Sequence, residues 1–357
     1  MKTSSSRGLV TEHRRFIGMD GDVVATLPKF AGDPAELAKI YRAMVLTRTF
    51  DAKAVALQRT GRLGTYASSL GQEAVAVGVG SAMKPEDVLV PSFREHGTQL
   101  WRGTTLVELL LYWGGDERGS RFSGPTQDFP VSIPVGSHAP HAAGVALAFK
   151  LRRERRVAVC MFGDGATSKG DVAEALNIAG VWNLPVVFVV CNNGWAISIP
   201  VARQTAAASL AQKAIAAGIM GEQVDGNDVI AVRDTMEGAL SRARAGSGPT
   251  LIEAVTYRLA DHTTADDAAR YRDDAEVSAH WRNEPVARLR QYLTRIGAWH
   301  KEDEERLLAE VAHTLDTAVE QYLATAAQPM ESIFEFTYAT LPADLAEQRA
   351  SALATTS

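Results

Sequence analysis

Cysteine is nearly absent from this chain of 357 residues: there are two, Cys160 and Cys191, each inside an apolar run. That usage suits packing groups in a reducing compartment rather than a disulfide frame, and the expected setting is cytoplasmic. Long hydrophobic runs are also missing. No run approaches the ~20 apolar residues that a membrane helix needs, so no membrane span is expected; the stretch from Val186 to Cys191 is only strand-length. There is no excess of basic charge either. Lys and Arg total 37 against 42 Asp and Glu, a net charge of -5 with a pI of about 5.9, which provides no field for gripping nucleic acid. The N-terminal MKTSSSRGLVTEHRRF lacks the apolar core and small-residue cleavage site of a secretory signal and reads as a loose tail.

What is present is an ordinary globular composition, 46% hydrophobic and 22% charged, able to bury a substantial core. Asp33-Pro34 reads as a helix cap followed by proline at the first helical position, opening an amphipathic run to Arg59. Apolar strand-length runs then alternate with helical stretches. Strands are expected at 87–90, 156–162, 185–191, 223–224 and 249–256, and helices at 72–82, 140–151, 171–181 and 229–245. This alternation implies an α/β fold with a mostly parallel sheet covered by helices on both faces. Past Val277 the pattern becomes helical and charge-rich, with helices expected at 281–295 and 302–324 and a frayed end at SALATTS. The chain reads as one α/β domain over 31–276, with an N-terminal extension over 1–30 and a C-terminal helical extension of the same domain over 277–357.

The strongest local feature is RRVAVCMF followed by Gly163-Asp164-Gly165-Ala166-Thr167-Ser168-Lys169-Gly170-Asp171 and a helix. Strand, glycine-rich turn and helix make a phosphate site, because glycine permits close backbone approach and the helix offers free N–H groups. An aspartate there repels phosphate unless it holds a bridging cation, and magnesium commonly takes one or two carboxylates and fills its octahedron with phosphate oxygens and water. The following strand ends in Asn192-Asn193-Gly194-Trp195. If the two strands are neighbours, Asn193 stands beside Asp164 as a second ligand. Dinucleotide and Walker loops are excluded by the missing glycines.

GDGATSKGD followed by CNNGWAIS resembles the thiamine-diphosphate motif of the α subunits of pyruvate and branched-chain 2-oxo acid dehydrogenases. The resemblance extends in order through YRAMVLTRTFDAKAVALQRTGRLGTYASSLGQEA, PSFREHG, GSHAPHAAGVALA, VDGNDV and TYRLADHTTADDAARYR. It implies a thiamine-diphosphate-binding fold, with magnesium held by Asp164, Asn193 and the Trp195 carbonyl. It further implies that Gly165 and Ala166 approach the diphosphate through their backbone and that Arg94 contacts it by a charge-assisted bond. Phe93 stands where the family commonly has tyrosine, so one hydroxyl contact is missing. Val135 is expected to meet the aminopyrimidine through its backbone, and Tyr66 to line the mouth of the site.

Of eight histidines, His13, His280, His300 and His313 read as surface or packing residues. His138 and His141 form H-x-x-H without a third ligand at metal spacing, which sets zinc aside. His138 stands where the family usually has glutamine, and His96 reads as structural. His262 lies on a polar loop directly after a strand, where catalytic groups are commonly presented, and the resemblance makes it the active-site histidine, in a loop ordered by Asp266, Tyr271 and Arg272. Thr263 replaces the serine that is phosphorylated in animal relatives. Oxidative decarboxylation of pyruvate is the expected reaction, with the acetyl group passed to a lipoyl-bearing acyltransferase. A separate β subunit is expected to complete the site in an assembly of two α and two β. A branched-chain 2-oxo acid or acetoin substrate is the alternative within the class, and a non-catalytic regulatory paralogue the alternative outside it.

Overall fold

The first long helix, α1 (Pro34–Arg59), starts where the Asp33 carboxylate accepts the Ala35 backbone N–H at 2.9 Å, with proline at the first turn. The chain is a computed structural model that describes residues 13–124, 126–335 and 337–354. After α1 come α2 (Glu73–Ala82), β1 (Val88–Val90), α3 (His96–Trp101), α4 (Leu106–Trp113), α5 (Ala139–Arg152), β2 (Ala158–Gly163), α6 (Gly170–Val181) and β3 (Val186–Asn192). A two-stranded hairpin, β4 (Trp195–Ala196) and β5 (Ile199–Pro200), precedes α7 (Lys213–Ala216), β6 (Met220–Asp225), α8 (Val229–Arg244) and β7 (Thr250–Val255). The helices α9 (Asp274–Trp281), α10 (Pro285–Arg295) and α11 (Lys301–Ala324) follow.

The strands β1-β2-β3-β7-β6 form a parallel sheet in that order. Alternation along the strands builds a core on each face. Cys160, Phe162, Phe188 and Val190 pack with α5 and α6, while Val159, Met161, Val187 and Val189 pack with α2 and α8. Uninterrupted apolar strands are what a sheet buried on both faces requires. The register sets Gly163 opposite Cys191, so the turns after β2 and β3 emerge side by side at the carboxyl edge, where open α/β sheets bind ligands.

The helical extension does not stand apart from the α/β unit. Leu289, Leu293, Leu307, Val311 and Leu315 share one core with Leu37, Ile40 and Met44 of α1. The helix expected over 281–295 starts at Pro285, and Trp281 instead closes α9, because Glu284 caps α10 through the Val286 and Ala287 N–H groups and Pro285 occupies the first turn. The tail expected to be loose is docked where it is described. Arg14 pairs with Val224 on the sheet edge, and the Phe16 and Ile17 N–H groups donate to Asp228 at 2.7 and 2.9 Å. An edge strand leaves backbone groups free for such an addition. Residues 1–12 lie outside the described residues. At the other end, Ser351 to Ala354 complete a helix over Ala343–Ala354 instead of fraying, and residues 355–357 lie outside the description. No described helix is long and apolar enough to cross a membrane.

Candidate functional site

A cavity of about 190 Å³ opens at the carboxyl edge of the sheet. Phe93, Arg94, Val135, Asp164, Gly165, Ala166, Asn193, Trp195 and His262 all line it, together with Ile197 of the β4–β5 turn. Residues drawn from five stretches of the sequence thus meet at one place. The helix expected over 171–181 is α6, which starts at Gly170, and the glycine turn before it, Asp164–Ser168, is wound as a 3₁₀ turn. Gly165 is needed for a reason beyond ligand approach, since a Cβ there would sit 2.7 Å from the Ala196 Cβ, where the hairpin leans on the turn.

Asp164 is only 1% exposed. Burial pushes its carboxyl up, against the Gln204 side-chain amide, which donates at 2.7 Å, and the opposing Arg258 charge and Asn193 backbone N–H. A carboxylate held this dry gains from a cation. Beside it, the Asn193 Oδ1 accepts the Trp195 N–H at 3.3 Å, and the Trp195 carbonyl accepts from Arg258 at 3.2 Å. The donor set is one carboxylate, one amide oxygen and one carbonyl, hard oxygens suited to magnesium. Among the described residues there is no group of three or more His, Cys, Asp or Glu able to hold a metal, so the His138–His141 pair gathers no such set.

Two guanidinium groups supply positive charge at the same cavity. Arg94 is buried, donates to the Ser68 carbonyl at 2.5 Å and to the His262 carbonyl at 2.6 Å, and burial followed by repulsion from Arg258 lowers its pKa to about 10. Arg258, wholly buried, donates to Trp195, Ile197 and Tyr271. Asp164 is the one carboxylate among the described lining residues. Arg94 lines the cavity and Arg258 stands behind it; Asp51 and Glu95 act on the first and Asp266 on the second from outside the cavity, and Arg94 is the cation placed for a charge-assisted bond to a phosphate.

The ring of His262 is oriented by arginines and not by the acids beside it in sequence. Its Nδ1 faces Arg94 at 2.9 Å and Arg258 at 3.4 Å. Guanidinium groups only donate, so Nδ1 is the acceptor and the proton resides on Nε2. Burial first, then Arg94 and Arg258, push its pKa down to about 4 against the pull of Asp266. Asp266 acts on the loop instead, accepting the His262 backbone N–H at 2.9 Å and the Tyr271 hydroxyl. Arg272 ties the same loop to the carbonyls of Arg258 and Ala260.

Tyr66 departs from its expected place. It is fully buried, behind the cavity rather than at its mouth, with its hydroxyl on Asp51 at 2.9 Å and its ring stacked on His96 at 5.3 Å. It touches the site through its backbone, which exchanges hydrogen bonds with Thr264. Val135 is 46% exposed on the opposite wall, and Phe93 meets His262 edge to face at 6.1 Å. His138 donates Nε2–H to the Met161 carbonyl at 2.8 Å, just before the glycine turn, and so fastens the Val135 loop to β2. Sequence reasoning missed Arg258, whose signal was an arginine between a strand and the histidine loop. It also missed Gln204, which reaches Asp164 from 40 positions away and left no local trace.

His96 is a structural residue with a measurable consequence. Its Nε2 accepts from the Trp113 indole at 3.1 Å, and burial, then Arg94, lower its pKa to about 3. An unfolded chain protonates near 6.5, so the group costs nothing above that pH and destabilises the fold progressively as pH falls from 6.5 toward 3, by about 1.4 kcal/mol per pH unit. Urea midpoints measured from pH 7 to 5 should fall, and fall less steeply in His96→Gln; equal slopes would remove His96 as the cause.

Comparison with known proteins gives one family and several curated relatives. The family model described as "Dehydrogenase E1 component" matches residues 41–331. The chain is 42% identical over 336 residues to the 3-methyl-2-oxobutanoate dehydrogenase subunit alpha of Mycobacterium tuberculosis, covering 94% of this chain and 92% of that protein. It is 43% identical to the pyruvate dehydrogenase E1 component subunit alpha of Acholeplasma laidlawii, covering 87% and 91%. Against the Staphylococcus aureus protein of the same name it is 39% identical, covering 88% and 85%.

Proposed function

This chain belongs to the dehydrogenase E1 component family, and from that membership we propose that it is the α subunit of a thiamine-diphosphate-dependent pyruvate dehydrogenase. The observation that carries the reading is the convergence of Asp164, Asn193 and the Trp195 carbonyl beside Arg94 at the carboxyl ends of β2 and β3. Thiamine diphosphate, when bound, supplies the electron sink on which a 2-oxo acid loses carbon dioxide. The residues of this chain hold and orient. Asp164, Asn193 and the Trp195 carbonyl would hold magnesium, Arg94 and the backbone of Gly165 and Ala166 would hold the diphosphate, and Val135 would meet the aminopyrimidine. Neutral His262 would present its Nε2–H to charge developing on the substrate, with Arg94 and Arg258 fixing the tautomer.

A second wall comes from elsewhere. A complete small-molecule pocket encloses roughly 300–1,000 Å³, whereas this cavity holds about 190 Å³. That shortfall supports a site shared with a β subunit in a pair of αβ units, which then hands the acyl group to a lipoyl-bearing acyltransferase. The chain alone should release no carbon dioxide from pyruvate, and adding its β subunit should restore release and lipoyl acylation. Full turnover by the single chain, with no β subunit detectable by mass spectrometry, would overturn the shared site. Assaying the reconstituted pair on pyruvate and 3-methyl-2-oxobutanoate tests the substrate. Higher kcat/KM on the branched acid would move the chain to the other reading, which the Mycobacterium tuberculosis relative supports.

A further inference from the structure

Asn193 can serve a cation through only one end of its amide, and the two ends are nearly identical in shape. The surroundings break the tie. The Trp195 backbone N–H, which can only donate, faces Oδ1 at 3.3 Å, while Nδ2 donates to the Gln72 Oε1 at 3.1 Å. Gln72 is itself held from turning, because the Cys191 thiol donates to the same Oε1 at 3.2 Å. Reversing the Gln72 amide would set its NH₂ against the Asn193 Nδ2–H and against a thiol that is only a weak acceptor. Its Nε2 has no hydrogen-bond partner among the described residues although the side chain is buried, so the two donors on its oxygen fix its orientation at the expense of that N–H.

The backbone then holds Gln72. It precedes α2 and follows Gly71, whose φ of +90° favours glycine and where a Cβ would lie 2.6 Å from the Tyr257 carbonyl. The Thr256 hydroxyl donates to the Gly71 carbonyl at 2.8 Å. Residues just past β7 thus lock the residue that faces Asn193.

We propose that Gln72, braced by Cys191, is a positioning residue that turns the Asn193 amide oxygen toward the cation. The role rests on the reading of Asn193 as a magnesium ligand. Without the acceptor on Gln72, the amide can present NH₂ to the metal and waste the site.

Calorimetry of magnesium and thiamine diphosphate binding to the reconstituted αβ assembly tests this. Gln72→Met should weaken binding by about tenfold or more, the scale at which partners of a metal ligand act. In the Asn193→Asp background both ends of the group are oxygen and need no steering, so the same change should cost less than about threefold. Equal costs in the two backgrounds, or none in the parent, overturn the steering role. If Gln72→Met does not assemble, Gln72→Glu carries the test, because it keeps an acceptor and should bind within about threefold of the parent; a tenfold loss there overturns the role. Asn193→Ala separates the two readings. Undiminished binding in that variant overturns the ligand assignment and the role of Gln72 with it, whereas weakened binding in Asn193→Ala with unchanged binding in Gln72→Met overturns the steering alone.

Discussion

Asp164→Ala is expected to abolish magnesium-dependent binding of thiamine diphosphate. The carboxylate is buried, is the one carboxylate among the described lining residues, and opens the 3₁₀ turn beside Asn193. Its loss removes the charge that attracts the cation and leaves Arg94 facing a diphosphate without the bridging metal. A fall of roughly a hundredfold or more is expected, above the range seen when only an outer partner of a metal ligand is lost. Asp164→Asn sharpens the result, because it fills the same space, keeps an oxygen for Gln204 and removes only the charge. Calorimetry on the reconstituted assembly that finds Asp164→Ala binding as tightly as the parent, or tight binding with the metal chelated, would count decisively against this site.

The second large effect concerns His262. With Nδ1 occupied by two guanidinium groups and a pKa of about 4, the ring is neutral across the working pH range and offers a single N–H to the cavity. His262→Ala should bind thiamine diphosphate nearly as well as the parent and lose about a hundredfold or more of lipoyl acylation, the scale of a positioned acid–base group. Removing the ring also strips an acceptor from Arg94, which would loosen the loop. His262→Asn controls for this, since its Oδ1 can stand where Nδ1 stood while no Nε2–H is supplied. A catalytic role requires that His262→Asn resist proteolysis of the 260–272 loop like the parent yet acylate as slowly as His262→Ala. Recovery of acylation in the asparagine variant would make the histidine a loop residue only. Because the imidazole is already neutral, its titration should leave no inflection in kcat between pH 5.5 and 8.

Much of this was legible in one dimension, for definite physical reasons. Apolar strands alternating with helices require a covered parallel sheet, and β2, β3 and β7 appear close to where the alternation put them. Asp164 and Asn193 could be paired from sequence because each follows directly on a strand, and neighbouring parallel strands deliver their carboxyl ends to one edge. Most of the remaining cavity residues were found through resemblance. Their chemistry is local, and the structure adds only that they meet.

What the sequence could not carry is anything decided by direction. Tyr66 lies in a segment that reaches the site, yet its backbone approaches the loop while its ring turns away to Asp51 and His96. The acids flanking His262 in sequence do not orient its ring; Arg94, 168 positions away, and Arg258 do. Gln72 and Asn193 lie 121 positions apart, and their hydrogen bond exists only because α2 packs against the face of the sheet from which Cys191 points. Composition and periodicity determine which elements form and which edge they share. The orientation of a ring or an amide depends on donors and acceptors brought together from distant parts of the chain, and only tertiary packing decides those.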